Sequence, residues 1–258
     1  MKKYYLLLFC LNCCFSAFSQ EVTKTDKTAF QAGEQITYKL KYGFFNAAEA
    51  TIRVENSPVK FNGNPALHII ADAKTAGTFD VFFKVRNRYE SYIDQQTLLP
   101  YYYTEDRHES KYRHTDKVTF DHKTNIITAD KGKFPFEGNV FDFLSAYYFA
   151  RNIDVSNLKV GDKLELRYFL EDGIHSLGIT FLGREKVKCG LGTFNCLKFN
   201  PTIIPGRIFR KNSKLYLWIT DDNNRIPVKA HVELIVGSLV MDLSEAKGLK
   251  YPLNPIKK

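Results

Sequence analysis

Apolar and polar side chains alternate with a period of two through most of this chain. In Gln35–Tyr42, Ile36, Tyr38, Leu40 and Tyr42 point one way, and Gln35, Thr37, Lys39 and Lys41 the other. That pattern is a strand with one wet face. Leu164, Leu166, Tyr168 and Leu170 repeat it against Glu165 and Arg167. Ile226, Val228, Ala230, Val232 and Leu234 repeat it against Lys229, His231 and Glu233. Further strands are expected over residues 48–55, 66–73, 79–86, 89–93, 101–105, 117–121, 174–182, 194–199 and 215–220. Turn formers separate them: Asn62-Gly63-Asn64-Pro65, Glu171-Asp172-Gly173, Gly190-Leu191-Gly192 and Asp221-Asp222-Asn223-Asn224.

One stretch departs from this period. Over residues 140–151, Val140, Phe143, Leu144 and Tyr147 recur at helical spacing, and Phe141 and Tyr148 widen the apolar face. Asn139 is placed to cap the N-terminus, and Asp142 suits its positive end. Arg151 and Asn152 suit the C-terminal end. So many aromatics in three turns are too apolar for a helix lying on an exterior. The expected fold is therefore mainly β: one antiparallel, strongly curved sheet or open barrel of about ten to thirteen strands. The helix at about 140–151 packs on its concave face. An outer-membrane barrel fits less well, because its lumen would be polar and its apolar face would meet lipid.

The N-terminus assigns a compartment. Lys2 and Lys3 precede an uncharged, mainly apolar run from Tyr4 to Phe18, and Ala17-Phe18-Ser19 offers small residues where a signal peptidase reads. The apolar run is shorter than the ~20 residues that span a bilayer. Residues 1–19 thus read as a signal peptide cleaved between Ser19 and Gln20, and 20–258 as a single β domain exported to the periplasm or cell envelope. Neither Cys13 nor Cys14 follows a small residue, which argues against lipoprotein processing. Cys10, Cys13 and Cys14 leave with the signal, so Cys189 and Cys196 remain. Two cysteines are not a disulfide scaffold, and the fold must rest on an apolar core. The formal charge of +9 falls to +7 without Lys2 and Lys3. A basic surface favours anionic neighbours such as lipid head groups or acidic polysaccharides.

Chemical motifs are few. His108-Glu109 has Tyr112 where a zinc-protease helix needs its second histidine. His108, His114 and His122 are close in sequence, and the first two could meet across a hairpin turning near Ser110-Lys111, but a metal site wants a third ligand and the neighbourhood is cationic. Gly190-Leu191-Gly192 lacks the third glycine of a dinucleotide loop. No phosphate-cradling loop or nucleophile elbow is present. Asp221-Asp222 sit among turn formers. Of Tyr101-Tyr102-Tyr103, at most two rings share a strand face, so core packing is favoured over a stacking platform for sugars or bases. No catalytic residue, metal site or cofactor is assigned, and nucleic acid is not an expected partner.

Four stretches carry a family resemblance. They are Phe30-x-x-Gly33-Glu34-x-x-x-Tyr38, Phe141-Asp142-x-Leu144-Ser145-Ala146-Tyr147-Tyr148-x-x-Arg151, Gly192 to Phe199, and Leu217-Trp218-Ile219-Thr220-Asp221-Asp222-x-x-x-Ile226-Pro227-Val228 followed by Val236-Gly237-Ser238. Together they resemble the domain-of-unknown-function family 3108, exported proteins of Gram-negative bacteria. The resemblance implies a mainly β protein of the periplasm or envelope and supplies no catalytic residues.

The function expected on these grounds is non-enzymatic binding of an apolar or anionic envelope component, a lipid or glycan, in the curve of the sheet. An assembly factor acting through contacts with an envelope protein is the alternative. A hydrolase whose residues are scattered over strands is the third reading. Cys189 and Cys196 flank the Gly190–Asn195 turn, where an oxidising compartment favours a cross-hairpin disulfide. Alternation disagrees, pairing Val187 with Cys189 on one face and setting Cys196 opposite the Leu197–Phe199 face. Two buried free thiols are then the other state. The intact mass of the exported, unreduced protein tests both expectations. It should correspond to a chain beginning at Gln20, and a disulfide requires the loss of two hydrogens.

Overall fold

The computed structural model describes residues 28–202 and 213–256. The signal segment, the Ser19–Gln20 junction and the three N-terminal cysteines lie outside the described residues. Fourteen strands form one antiparallel, unclosed sheet. In chain order they are β1 (Gln35–Tyr42), β2 (Phe45–Asn56), β3 (Ala66–Thr75), β4 (Val85–Asp94), β5 (Pro100–Glu109), β6 (Tyr112–Asp121), β7 (Ile126–Ala129), β8 (Gly132–Pro135), β9 (Lys163–Leu170), β10 (Gly173–Cys189), β11 (Gly192–Pro201), β12 (Leu215–Thr220), β13 (Pro227–Glu233) and β14 (Ser238–Lys247). Helix α1 (Gly77–Phe82) follows β3, and α2 (Phe143–Ala150) joins β8 to β9.

The sheet runs from β8 back to β1, then from β14 back to β9. The two halves of the chain therefore meet at the β1–β14 seam, with Gln35 opposite Lys247 and Tyr42 opposite Leu239. The free edges, β8 and β9, are spanned by the chain between them. Phe141 bridges Tyr168 in parallel, accepts from the Phe169 amide at 2.8 Å and donates to the Arg167 carbonyl at 3.0 Å. Exposed edges invite pairing with other chains, and this segment covers one of them.

Helix α2 lies in the curve. One core cluster unites its Leu144, Tyr148 and Phe149 with Val54 of β2, Ile93 of β4 and Leu166 of β9. Strands from both halves of the sheet thus reach the same helix, as a strongly curved sheet requires. A second cluster packs the β10–β11 hairpin, through Val187, Phe194 and Cys196, onto Ile36, Val228 and Leu243.

Helix α2 differs in detail from its sequence pattern. It begins at Phe143, and its cap is Asp142 rather than Asn139. Asp142 accepts from the Leu144 and Ser145 amides at 2.8 and 2.9 Å, and Ser145 Oγ accepts from the Asp142 amide at 2.9 Å. This is a reciprocal capping box. Ser91 donates to the second carboxylate oxygen at 2.6 Å, tying the cap to β4. Phe143 is 43% exposed, where helical spacing placed it in the core. The face turned inward carries Leu144, Tyr148 and Phe149, and Phe143 instead meets Tyr89 and Tyr103 edge-on at the rim.

The strand expected over 79–86 is absent up to Lys84, and only Val85 and Arg86 of that stretch are extended, as the start of β4. Phe79, Val81 and Phe83 alternate, but α1 and a turn occupy this stretch and no α1 residue is buried. Gly77, at φ +56°, turns the chain off β3. Asp80 then accepts from Thr75 Oγ1 at 2.7 Å and from Arg86 at 2.6 Å, closing the excursion. Those hydrogen bonds, Arg86 first, hold the Asp80 carboxyl well below its usual range. The sequence pattern also passed over β7, β8 and β14. Two of these are only four residues long, and Val240 interrupts the alternation of β14.

Leu144→Ala should cost about 3 kcal/mol in chemical denaturation, whereas Phe143→Ala should cost about 1 kcal/mol, half-exposed as it is. Equal losses would mean that the helix is rotated from this position.

Candidate functional site

Three of the four family-like stretches meet at a buried charge centre. Arg151, just past the end of α2, donates to Glu34 Oε1 at 2.5 Å and Oε2 at 2.9 Å, and both side chains are sealed from solvent. Arg151 also donates to the Asn224 carbonyl at 2.9 Å. Tyr148 Oη donates to Glu34 at 3.2 Å, and Tyr38 and Tyr147 hydroxyls meet at 3.1 Å. The guanidinium lies 5.1 Å from the Tyr148 ring centre and 5.6 Å from that of Phe30. Burial opposes the Arg151 charge, but Glu34 outweighs it and raises the guanidinium pKa. Burial drives the Tyr148 and Tyr38 hydroxyls far above the usual phenol range. A centre with no opening to solvent and all its polar atoms paired holds structure rather than turning over substrate.

The other sequence candidates separate in space. His108 pairs in register with Arg113, and His114 with Arg107, so the two imidazoles lie on opposite faces of the β5–β6 hairpin. His108 faces Asp106 at 3.0 Å and His114 faces Glu105 at 3.4 Å. His122 lies apart, donating to the Pro100 carbonyl at 2.7 Å. Among the described residues, no group of three or more His, Cys, Asp or Glu could hold a metal ion. Asp222 Oδ1 accepts from Thr220 Oγ1 and from the Asn224 and Arg225 amides, a turn role. Asp221 pairs with Arg184 and Arg225. Tyr103 is buried in the core, whereas Tyr101 reaches Asp94 at 2.5 Å.

Cys189 and Cys196 are free thiols here. The register sets Cys189 across from Gly192 and Cys196 across from Glu185, with the Val187–Phe194 pair between them. Both therefore project to one face and join the same apolar cluster. The alternation argument for opposite faces fails because Phe194, not Leu197, lies across from Val187. Burial pushes the Cys196 thiol up to about 12 and also raises Cys189. Neither thiol has the acidic character of a nucleophile.

An exposed apolar rim is the surface feature that sequence reasoning missed. Tyr42 pairs with Phe45, so Gly43 and Phe44 form a two-residue turn, with Gly43 at φ +57°. Such apices favour glycine and small polar residues. Phe44 stands there fully exposed, with Phe45 64% exposed beside it. Val81 and Phe82 of α1 are each 81% exposed, and Val236 in the β13–β14 turn is 72% exposed. These three turns are neighbours. Tyr42 packs against Phe79 at 6.1 Å and donates to the Val236 carbonyl at 3.1 Å. The Ala76 amide donates to the Ala47 carbonyl at 2.9 Å. The β5–β6 turn adjoins through the Ser110 amide, which donates to the Lys84 carbonyl at 2.7 Å. Lys84, Lys111 and Lys214, all at this end, form no ion pair among the described residues. The legible signals were the runs Phe44-Phe45 and Val81-Phe82-Phe83, each adjoining a glycine or a turn.

Structural and sequence comparisons place the chain. A beta-barrel-like protein of the domain of unknown function DUF1849 from Brucella abortus superposes with a TM-score of 0.53 at 7% identity, covering 83% of this chain and 96% of that one. This likeness concerns the fold. A protein from Bacteroides fragilis described as exported, with a YmcC-like fold, gives a TM-score of 0.35 at 14% identity over 86% of this chain and 100% of that one. A protein from Parabacteroides distasonis described as a lipoprotein gives 0.33 at 14% identity over 87% and 100%. No curated protein matches the sequence. The model of the family "Protein of unknown function (DUF3108)" matches residues 37–244, which span nearly all of the described sheet, and the chain belongs to that family.

Proposed function

We propose that the chain is an exported, non-enzymatic cell-envelope protein that docks on the anionic surface of a lipid bilayer through its apolar rim. The observation that carries this reading is Phe44, Val81, Phe82 and Val236 standing exposed on neighbouring turns and α1, beside three lysines that form no ion pair among the described residues. Aromatic side chains at convex tips suit the boundary between head groups and acyl chains, and lysine stems reach up to the head groups. The curve of the sheet, by contrast, is occupied by α2 and its core, so an apolar ligand is better accommodated at the rim than inside. No helix among the described residues is long and apolar enough to cross a membrane.

Each buried phenylalanine contributes about 2 kcal/mol, and each nearby lysine about 1 kcal/mol on an anionic surface. The protein should therefore co-sediment with vesicles of phosphatidylglycerol and phosphatidylethanolamine, and much less with phosphatidylcholine alone. Added salt should weaken binding. The Phe44→Ser/Phe82→Ser variant should lose at least about tenfold in affinity while keeping its unfolding temperature, since neither ring belongs to a buried cluster. Undiminished binding by that variant, or indifference to lipid charge, would overturn the reading.

A further inference from the structure

The opposite end of the sheet carries a different kind of surface. The β2–β3, β4–β5 and β6–β7 connections there enclose a cleft of about 500 Å³. A second hollow of about 260 Å³ adjoins it and shares Asn62, Tyr101, Phe120 and Lys123 with the first. Tyr101 stands between the two. We propose that this cleft binds a short saccharide chain, with the Tyr101–Phe61 pair as its stacking wall.

The chemistry of the lining selects this class of ligand. The Phe61 and Tyr101 rings stack with centres 5.0 Å apart and planes within 6°, so Phe61 backs one face of the Tyr101 ring, and Tyr101 alone of the two lines the larger cleft. Asn62, Asn64, Gln95 and Thr97 surround it with neutral amides and a hydroxyl, groups that both donate and accept. A sugar presents the matching pair of features, a C–H face for the ring and hydroxyls for the amides. An acyl chain would strip water from those amides without replacing its hydrogen bonds, at a cost. A polyanion would find a single lysine, Lys123, among the lining residues. A metal would have to displace bonds already made, because Asp94 is engaged on both oxygens.

The walls are held in place before any ligand arrives. The β2–β3 tip closes through reciprocal amide–carbonyl bonds between Phe61 and Asn64, at 3.0 and 2.9 Å, over Asn62 and Gly63 at positive φ. In the β4–β5 loop, Asp94 Oδ1 accepts from the Gln96 and Thr97 amides at 2.9 and 2.7 Å, and Tyr101 donates to Oδ2. Burial opposes ionisation of Asp94, but these bonds prevail and hold its carboxyl below the usual range. Leu98 is fully buried at φ +63°, a conformation costly for a branched side chain. A loop that retains such strain and still presents Gln95 and Thr97 to the cleft is pre-organised for binding. His122, which also lines the cleft, is held by donation from Nε2 to the Pro100 carbonyl at 2.7 Å.

The test is titration of the full exported chain, followed by nuclear magnetic resonance or calorimetry, with three probes at millimolar concentration: maltotetraose, chitotetraose and trigalacturonate. Maltotetraose or chitotetraose should bind and perturb Tyr101 and Asn64, and trigalacturonate should bind more weakly, because a single lysine faces it. Asn64→Ala, at an exposed turn position, should weaken that binding by about tenfold, and Tyr101→Phe should retain more of it than Tyr101→Ala. The Phe44→Ser/Phe82→Ser variant should bind the saccharide unchanged, so membrane docking can fail without touching this result. Binding of neither neutral probe, tighter binding of trigalacturonate than of both, or binding that Asn64→Ala and Tyr101→Ala leave intact, would overturn the proposal.

Discussion

The buried Glu34–Arg151 pair is the constraint on which the rest of the structure depends. Removing two charges from water is expensive, and their attraction offsets the cost only when every remaining donor and acceptor is satisfied. Meeting that condition draws in the turn before β1, which carries Glu34, and the end of α2, which carries Arg151. It also draws in the β12–β13 turn, whose Asn224 offers its carbonyl. Asn224 in turn holds the C-terminal extension, donating to the Tyr251 carbonyl at 3.0 Å and accepting from the Tyr251 amide at 3.1 Å. Four segments distant in sequence therefore meet at one point, and a slipped register at any of them would strand a charge. The contribution of such a pair is better understood as specificity than as stability.

That anchoring explains how an open sheet of this width keeps one shape. The β1–β14 seam joins residues some two hundred positions apart, as in the Lys41–Asp242 ion pair at 3.1 Å. Long-range pairing of this kind forms late and slowly, because the chain entropy is lost before the contacts repay it. Helix α2 gives both halves of the sheet a common apolar surface to close on. The ionic centre at its C-terminal end fixes where that surface sits. The stretch that leads into the helix covers β9 on the way, so one segment serves as core, clamp and edge protection.

The two ends of the sheet consequently differ in chemistry. The end holding Thr28 and Tyr251 is tied by long-range polar bonds and carries the polar cleft with its strained loop. The other end carries two tight turns and α1, whose exposed phenylalanines and valines belong to none of the buried clusters. Phe44 is informative here because a two-residue turn gains nothing from a phenyl ring at its apex. Gly237, at φ +72° against the Tyr42 hydroxyl, allows the β13–β14 turn to come close enough to complete that rim.

The period-two pattern by itself determined that the chain is mainly β, because alternation states directly which side chains can share a buried face. It located β1 and β12 to the residue and marked the turns between them by their asparagines, aspartates and glycines. It also picked out the single helix inside the curve, since no other stretch concentrates aromatics at helical spacing. The pattern misled wherever apolar residues served something other than the core. Residues 79–86 alternate as a strand does, but Val81, Phe82 and Phe83 are exposed to solvent. Phe143 follows the helical stripe, yet sits at the rim because Asp142, tied to Ser91, sets where the helix starts and how it is turned. Arg151 read as a charge favourable to a helix end, and its partner Glu34 was invisible in sequence because the two are far apart along the chain. The cleft escaped for the same reason, with Asn64, Asp94, Tyr101 and Lys123 belonging to three separate connections. Local periodicity records which face of an element is wet. Only the tertiary fold decides which distant faces, charges and turns are brought together.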